Sequence, residues 1–386
     1  MAMSTFRIAS IAALALGLAA APAFAADTIK IGVNEPLTGP FAASGAYVVN
    51  GARIAADEIN AKGGVLGKKI ELVIEDNKSN PTEAAAVAEK LITSDETPVM
   101  MGAWGSSLTL AVMPKLEEYE VPMLVETSSS GKITTSGNPF VFRISPPSAL
   151  EAEAFAPMVP KLGMKKADFL VINNDWGRGA AADFGKMLKA GGVEVGLVET
   201  MDAGAQDMSA QLAKIKGTDA DTLMITAAVD QLTLVFKQMA AMGVKKRVVT
   251  TGGSQNPDQI VAQAGAAAEK TLHLTTFLPW DPAKTPDPKA TEYFLAEWKK
   301  RGHPFAGATE SFRGYDGIRT IAAAIEKAGA AEPKAIQKAF WEVKLTGLNG
   351  PIAFAKSGPE GKESGQSKPG VYLIEIADGQ IGEAKL

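Results

Sequence analysis

The 386-residue chain carries 39 Lys and Arg against 43 Asp and Glu, a net charge of −4, with no cysteine and only two histidines. That balance offers no basic footprint for nucleic acid. It also excludes disulfides and a Cys/His metal centre, and it leaves His273 and His303 as the only candidates for histidine-based catalysis; no cofactor is expected.

Residues 1–25 read as a signal peptide. Arg7 is their only charge, an apolar run over 8–21 follows, and Ala23-Phe24-Ala25 closes the segment. A positive start, a short apolar core and a small-x-small end are what signal peptidase recognises, with cleavage after Ala25. The run is shorter than the ~20 residues a membrane-spanning helix needs, and no later stretch is long and apolar enough to span. No cysteine follows to take a lipid anchor. The rest of the chain exceeds the ~250–300 residues that one core usually supports, so two domains are expected.

From there short β-type runs alternate with helical ones. Residues 29–33 read as a strand and 45–60 as a helix with an apolar stripe; 70–74 is the next strand. Asn80-Pro81 opens a helix to about 93, with proline in the first turn where no N–H is lost. Strands follow at 98–101 and 121–125 around a helix at 106–118. The series resumes with a strand at 169–172, a helix at 177–190 and a strand at 193–198. Strands at 222–225 and 247–251 then flank a helix at 231–242. Strands alternating with helices of this length make βαβ units, so the fold class is α/β with parallel, doubly wound sheets. Breaks near Ile144-Ser145-Pro146-Pro147 and Leu278-Pro279-Trp280-Asp281-Pro282 each follow a strand-like run. The helices after Pro288 have few strands left to build on, so they must pack on a sheet already formed. That implies a chain that crosses between two lobes more than once. Residues 358–370 read as a polar loop.

Catalytic motifs are not in sight. There is no G-x-S-x-G elbow, no P-loop and no G-x-G-x-x-G after a strand. Ser129-Ser130-Gly131-Lys132 has the S-x-x-K spacing, but Gly131 breaks the helix that motif needs. His273 lies in an apolar strand and reads as a packed residue, and His303 sits in a turn. The carboxylates are scattered, with no evident pair. The chain is therefore read as a binder, not an enzyme.

Parallel sheets bind ligands in the loops at the carboxyl ends of their strands. Two such loops are rich in hydroxyls: Gly102-Ala103-Trp104-Gly105-Ser106-Ser107, and Glu126-Thr127-Ser128-Ser129-Ser130. One serine per loop is explained as a helix N-cap; six hydroxyls are not. Hydroxyls beside helix N-terminal N–H groups make an anion site.

At these residues the chain resembles the periplasmic leucine/isoleucine/valine-binding proteins, the type I solute receptors of ABC transporters. The resemblance runs through Leu37-Thr38-Gly39-Pro40, Gly51-Ala52-Arg53 with 59–65, Glu75-Asp76, Gly105-Ser106-Ser107, 173–177 and Gly314-Tyr315-Asp316-Gly317. It implies two doubly wound lobes, joined by three hinge crossings near Ser145, Thr276 and Pro369, that close on a ligand. One lobe would comprise 26–145 with 277–368, the other 146–276 with 369–386. It implies a periplasmic monomer that delivers a small carboxylate to ABC permease subunits. Position by position, Ser106 matches the serine that binds the ligand carboxylate, and Ser129 and Ser130 match the second carboxylate loop. Ser44 falls where amino-acid binders have a tyrosine, Trp104 lies in the first loop, and Trp176 takes the place of an aromatic lid from the second lobe.

Two departures bear on the ligand. Amino-acid binders hold an acidic residue after the strand that ends here at Thr251, where it pairs with the ligand ammonium; this chain has Gly252-Gly253-Ser254-Gln255-Asn256. A further ligand-touching tyrosine of the family falls near Ala228. Gly252, Gly253 and Ala228 are expected to open space on the second lobe, Trp176 and Phe41 to wall it, with Phe312 a further candidate wall, and Gln255 to bond a ligand oxygen. The expected ligand is an aromatic acid of the benzoate, mandelate or aryl-keto type. The alternatives are a branched-chain amino acid, its ammonium met by Glu126 or Asp230, or a sensory receptor of the amide and urea kind.

Overall fold

The computed structural model describes Met1 and residues 28–253 and 256–385. The expected signal peptide and its cleavage site, and Gln255, lie outside the described residues. The first series runs β1 (Thr28–Glu35), α1 (Ala42–Ala61), β2 (Lys69–Asp76), α2 (Pro81–Thr93), β3 (Met100–Gly102), α3 (Ser106–Tyr119), β4 (Met123–Val125), α4 (Lys132–Thr135) and β5 (Val141–Arg143). The second runs α5 (Ser148–Phe155), α6 (Val159–Leu162), β6 (Lys166–Ile172), α7 (Asp175–Ala190), β7 (Glu194–Met201), α8 (Ser209–Lys216), β8 (Thr222–Thr226), α9 (Val229–Met242), β9 (Arg247–Thr250), α10 (Pro257–Ala264) and β10 (Thr271–Thr275). Then come α11 (Pro288–Lys300), α12 (Ala308–Ala328), α13 (Pro333–Phe340), β11 (Leu345–Gly347), β12 (Gly350–Ile352), β13 (Ala355–Ser357), β14 (Ser364–Gln366), β15 (Tyr372–Ala377) and β16 (Gln380–Glu383).

Two seven-stranded sheets result, ordered β13-β14-β5-β4-β3-β1-β2 and β16-β15-β10-β9-β8-β6-β7. From β14 to β2 and from β10 to β7 all pairings are parallel. Helices cover both faces, which is why β6, Lys-Ala-Asp-Phe-Leu-Val-Ile, is buried from its second residue onward instead of alternating. The chain passes between the sheets three times: after β5, after β10 and after β14. No helix among the described residues is long and apolar enough to cross a membrane.

Local chemistry explains the motifs. Asn80 caps α2 by accepting from the Thr82 and Glu83 amides at 2.8 and 3.2 Å. Asp76, at the end of β2, accepts from the Leu37 and Thr38 amides and the Thr38 hydroxyl, so it ties the loop after β1 to its neighbour strand. Gly51 and Gly314 let α1 and α12 touch backbone to backbone. A Cβ at Gly51 would stand 1.8 Å from the Ser311 carbonyl, and one at Gly314 would stand 1.9 Å from that of Val48. The late helices thus pack on the first lobe, on a sheet already formed.

Two expectations are corrected. The polar segment 358–370 is not all loop: β14 lies in it and pairs with β5, Gly365 opposite Phe142. Its signal is hidden because Gly365 contributes no side chain; a Cβ there would meet the Phe142 ring at 2.4 Å. And the strands after Pro288 are six, not few. β13 to β16 complete the two sheets, and β11–β12 form a small sheet of their own.

Candidate ligand-binding cleft

The hydroxyl loops lie where parallel sheets place them, at the carboxyl ends of β3 and β4. Ser106 opens α3; its cap residue is Gly105, and the Ser106 hydroxyl is not spent on capping. Instead it accepts from the Ser130 amide at 3.1 Å, which joins the two loops. Ser128 donates to the Trp104 carbonyl at 2.7 Å and lies 2.7 Å from the Thr109 hydroxyl. Ser148, at the start of α5, bonds the Ser129 carbonyl through its amide at 2.9 Å.

One organiser of this site was not legible in the sequence. The guanidinium of Arg143, fully buried at the end of β5, donates to the Ser128 and Ser130 carbonyls at 3.0 and 2.7 Å, to Gln366 at 2.7 Å and to the Thr134 hydroxyl at 2.9 Å. Burial pulls it down to about 9. It holds the serine turn from behind.

A cavity of about 200 Å³ opens between the lobes, lined by Trp104, Ser106, Thr127, Ser128, Ser129, Trp176 and Gly252. The Thr127 hydroxyl and the Trp104 indole N–H are buried with no hydrogen-bond partner. Among the described residues no carboxylate lines this cavity. Phe41 backs it rather than lining it, its ring 4.8 Å from that of Trp104. Ser44 and Ala228 are buried nearby in their lobes and do not line the cavity. Phe312 packs on Phe277 at 4.7 Å, away from it, among core residues.

Trp176 takes the lid position that the resemblance assigns it. It is 5% exposed, because the lobes touch and its indole packs edge-on against Trp104 at 5.8 Å. The glycines were expected to open space, and that expectation is corrected as well. The room where a Gly252 Cβ would stand is filled by Trp176, 2.6 Å away, and at Gly253 by the Arg313 guanidinium, 2.8 Å away. Both have positive φ, +92° and +65°. The glycines therefore serve close approach, not vacancy.

Bonds across the cleft hold the lobes together. Ser107 donates to Asp175 at 2.8 Å and accepts from the Asp175 amide at 3.1 Å. Arg313 on α12 donates to the Gly253 carbonyl at 2.8 Å, and Thr309 donates to Asn256 at 2.7 Å.

Scattered in sequence, several acids meet beneath the cleft. Glu126, Glu151 and Glu310 are buried near Arg313, and the buried Glu35 lies beside Glu126 and Glu310. Burial, then the neighbouring Glu126 and Glu310, pushes Glu35 far above the usual carboxyl range. Burial raises Glu126 too. Glu151 accepts from the Gly252 amide at 2.8 Å and is pushed by burial up to about 7. Asp230 is engaged by Gln259 at 2.8 Å. His273 is the packed residue expected of it, bonded to Thr250 and Thr271 and held neutral by burial, down to about 3.

Residues 28–380 match the family model of the periplasmic binding proteins. The chain belongs to that family. This periplasmic binding protein is 31% identical to the Leu/Ile/Val-binding protein BraC3 of Rhizobium johnstonii, over 83% of its own length and 85% of the relative's. It is 27% identical to the branched-chain amino acid transporter substrate binding protein LivJ of Streptococcus pneumoniae, solved with isoleucine; the match covers 92% of this chain and 98% of that one, with a TM-score of 0.79. A solute-binding protein of an R. palustris ABC transporter, solved with benzoate, shares the fold: TM-score 0.80, 21% identity, 92% and 95% covered. The two lobes and three crossings are those of the type I receptors, and the chain is a solute-binding receptor of that type.

Proposed function

We propose that this receptor captures a small aromatic carboxylate in the cavity between Trp104 and Trp176 and delivers it to ABC permease subunits. One observation carries the reading: a buried cavity faced by two indoles, where the side-chain polar groups among the described residues are hydroxyls and indole N–H groups. Hydroxyls and N–H donors suit a carboxylate, and facing indoles suit a flat ring, by about 0.5–1.5 kcal/mol beyond area burial. An ammonium would sit there without a charge partner, at several kcal/mol.

The lobes we assign are 26–145 with 277–368 and 146–276 with 369–386, in keeping with which strands share a sheet. Export to the periplasm through cleavage after Ala25, action as a monomer and the absence of catalysis belong to the same reading. The resemblance to amino-acid binders favours a second reading, a branched-chain amino acid. Against it, neither Glu126 nor Asp230 lines the cavity. A thermal-shift panel of benzoate, mandelate, an aryl-keto acid, leucine and isoleucine tests the choice. Stabilisation by at least one aromatic acid and not by leucine or isoleucine is expected; the reverse pattern would overturn it.

A further inference from the structure

The guanidinium of Arg143 is fully buried, and every partner it has among the described residues is neutral. Its Nη1 donates to the Ser128 and Ser130 carbonyls, its Nε to the Gln366 amide oxygen and its Nη2 to the Thr134 hydroxyl. Its hydrogen bonds are satisfied; its charge is not. Burial is what lowers its proton affinity, no acid acts on it, and it stays cationic at neutral pH. Glu126 follows Val125, the strand partner of Arg143, but lies with Glu35 and Arg313 instead. A buried charge without a counter-ion is costly even when it is hydrogen-bonded.

One of the carbonyls it grips leads to the cavity between the tryptophans. The peptide bond from Ser128 to Ser129 is trans, so its N–H points opposite to its C=O. The Ser128 carbonyl faces Arg143, and the Ser129 N–H therefore faces away from it, between two residues that line the cavity. Among the described residues that N–H donates to nothing. We propose that Arg143 is the specificity-determining cation of the cavity: it acts through the Ser128–Ser129 peptide, and the ligand carboxylate is its counter-charge. The inference rests on the reading of the cavity as a carboxylate site, whether or not the acid is aromatic. The guanidinium polarises the peptide it grips, which makes the Ser129 N–H a stronger donor. A carboxylate oxygen on that N–H would stand about 8 Å from the guanidinium. At that range, with an effective dielectric constant of about 20, a charge opposite Arg143 gains on the order of tenfold or more in affinity over a neutral group. The same field disfavours an ammonium. Arg143 touches no ligand; it positions the serine turn and sets the charge that the turn prefers.

The test compares benzoate with benzamide, and leucine with leucinamide, by calorimetry on the mature full chain. Each pair shares its shape, and only the acid brings the carboxylate charge. Two variants remove the unbalanced cation: Arg143→Met deletes it, and Gln366→Glu sets a carboxylate against its Nε in the shape of the native side chain. For the acid that the wild type binds, the preference over its amide should fall about tenfold or more in each variant and stay near the wild-type value in Arg143→Lys. A disturbed turn alone would weaken acid and amide together and leave that ratio standing. Gln366→Glu keeps the test sound if Arg143→Met fails to fold. An unchanged ratio in the folded variants, or an equal fall in Arg143→Lys, would overturn this inference and leave the carboxylate reading in place. No binding of either acid by the wild type would overturn both.

Discussion

The indole of Trp104, from the loop after β3, meets that of Trp176, in the first turn of α7, edge to face, with ring centroids 5.8 Å apart and planes 81° apart. The two come from opposite lobes, so a flat ligand entering between them must part this pair. Binding should therefore change the tryptophan emission. Trp176→Ala should weaken aromatic-acid binding by about tenfold or more, through lost stacking and lost burial. Fluorescence titration of wild type and variant checks both; equal affinities would remove Trp176 from the site.

Gly252 makes the lid possible. An alanine there would drive its Cβ into the Trp176 indole at 2.6 Å, and at a φ of +92°. Gly252→Ala should weaken ligand binding and lower stability by about 1–3 kcal/mol. Gly63→Ala is the control. It has a similar positive φ, +106°, but nothing within 4 Å of the new Cβ. It should cost only backbone strain and leave affinity untouched. Matching affinity losses in the two variants would contradict the role given to Gly252.

Ser106 is free of capping duty and tied to the Ser130 amide at 3.1 Å. Hydrogen bonds to a charged group are worth about 1.5–3 kcal/mol each. Ser106→Ala should then weaken carboxylate binding about tenfold or more, with a stability loss near 1 kcal/mol for the lost loop tie. Calorimetry and a denaturant melt separate the two effects. Unchanged affinity would place the anion elsewhere.

What could be read in the sequence was whatever repeats locally. The β-type runs, the Asn80-Pro81 helix start and the serines after parallel strands each carry their own signal, and the structure puts Ser106 and Ser129 in one cavity with Trp104 and Trp176. What could not be read was convergence. Glu35, Glu126, Glu151 and Glu310 look like scattered acids until four separate elements bring them beneath the cleft. Arg143 looks like an ordinary strand residue until Ser128 and Ser130 turn back over it. Gly252 and Gly253 read as missing bulk, because nothing local says that Trp176 and Arg313 occupy the room they leave. β14 was missed because its polar sequence is buried by neighbours, not by its own pattern.

The buried acids set the pH dependence. Glu35, Glu126 and Glu151 all have folded-state values raised by burial, Glu151 to about 7 and Asp316 to about 6. A raised carboxyl means that the folded state holds a proton the unfolded state has released. Stability from these groups is thus full below the unfolded value, about 4.3 for Glu, and is lost as pH rises through the folded value. The protein should be more stable at pH 5 than at pH 8. Glu151→Gln, which keeps an acceptor for the Gly252 amide, should flatten that slope by on the order of 1–3 kcal/mol. Urea midpoints across pH 5–8 check it; a rising profile would show these acids ionised and paired.

The central claim is that the Trp104–Trp176 cavity holds an aromatic carboxylate, and calorimetric titration of benzoate and of leucine into wild type, Ser106→Ala and Trp176→Ala tests it most directly. The account predicts one benzoate per chain in the wild type, about tenfold or more weaker in each variant, and no heat with leucine. Tight leucine binding with none for benzoate, or benzoate binding that both variants leave unchanged, would contradict it.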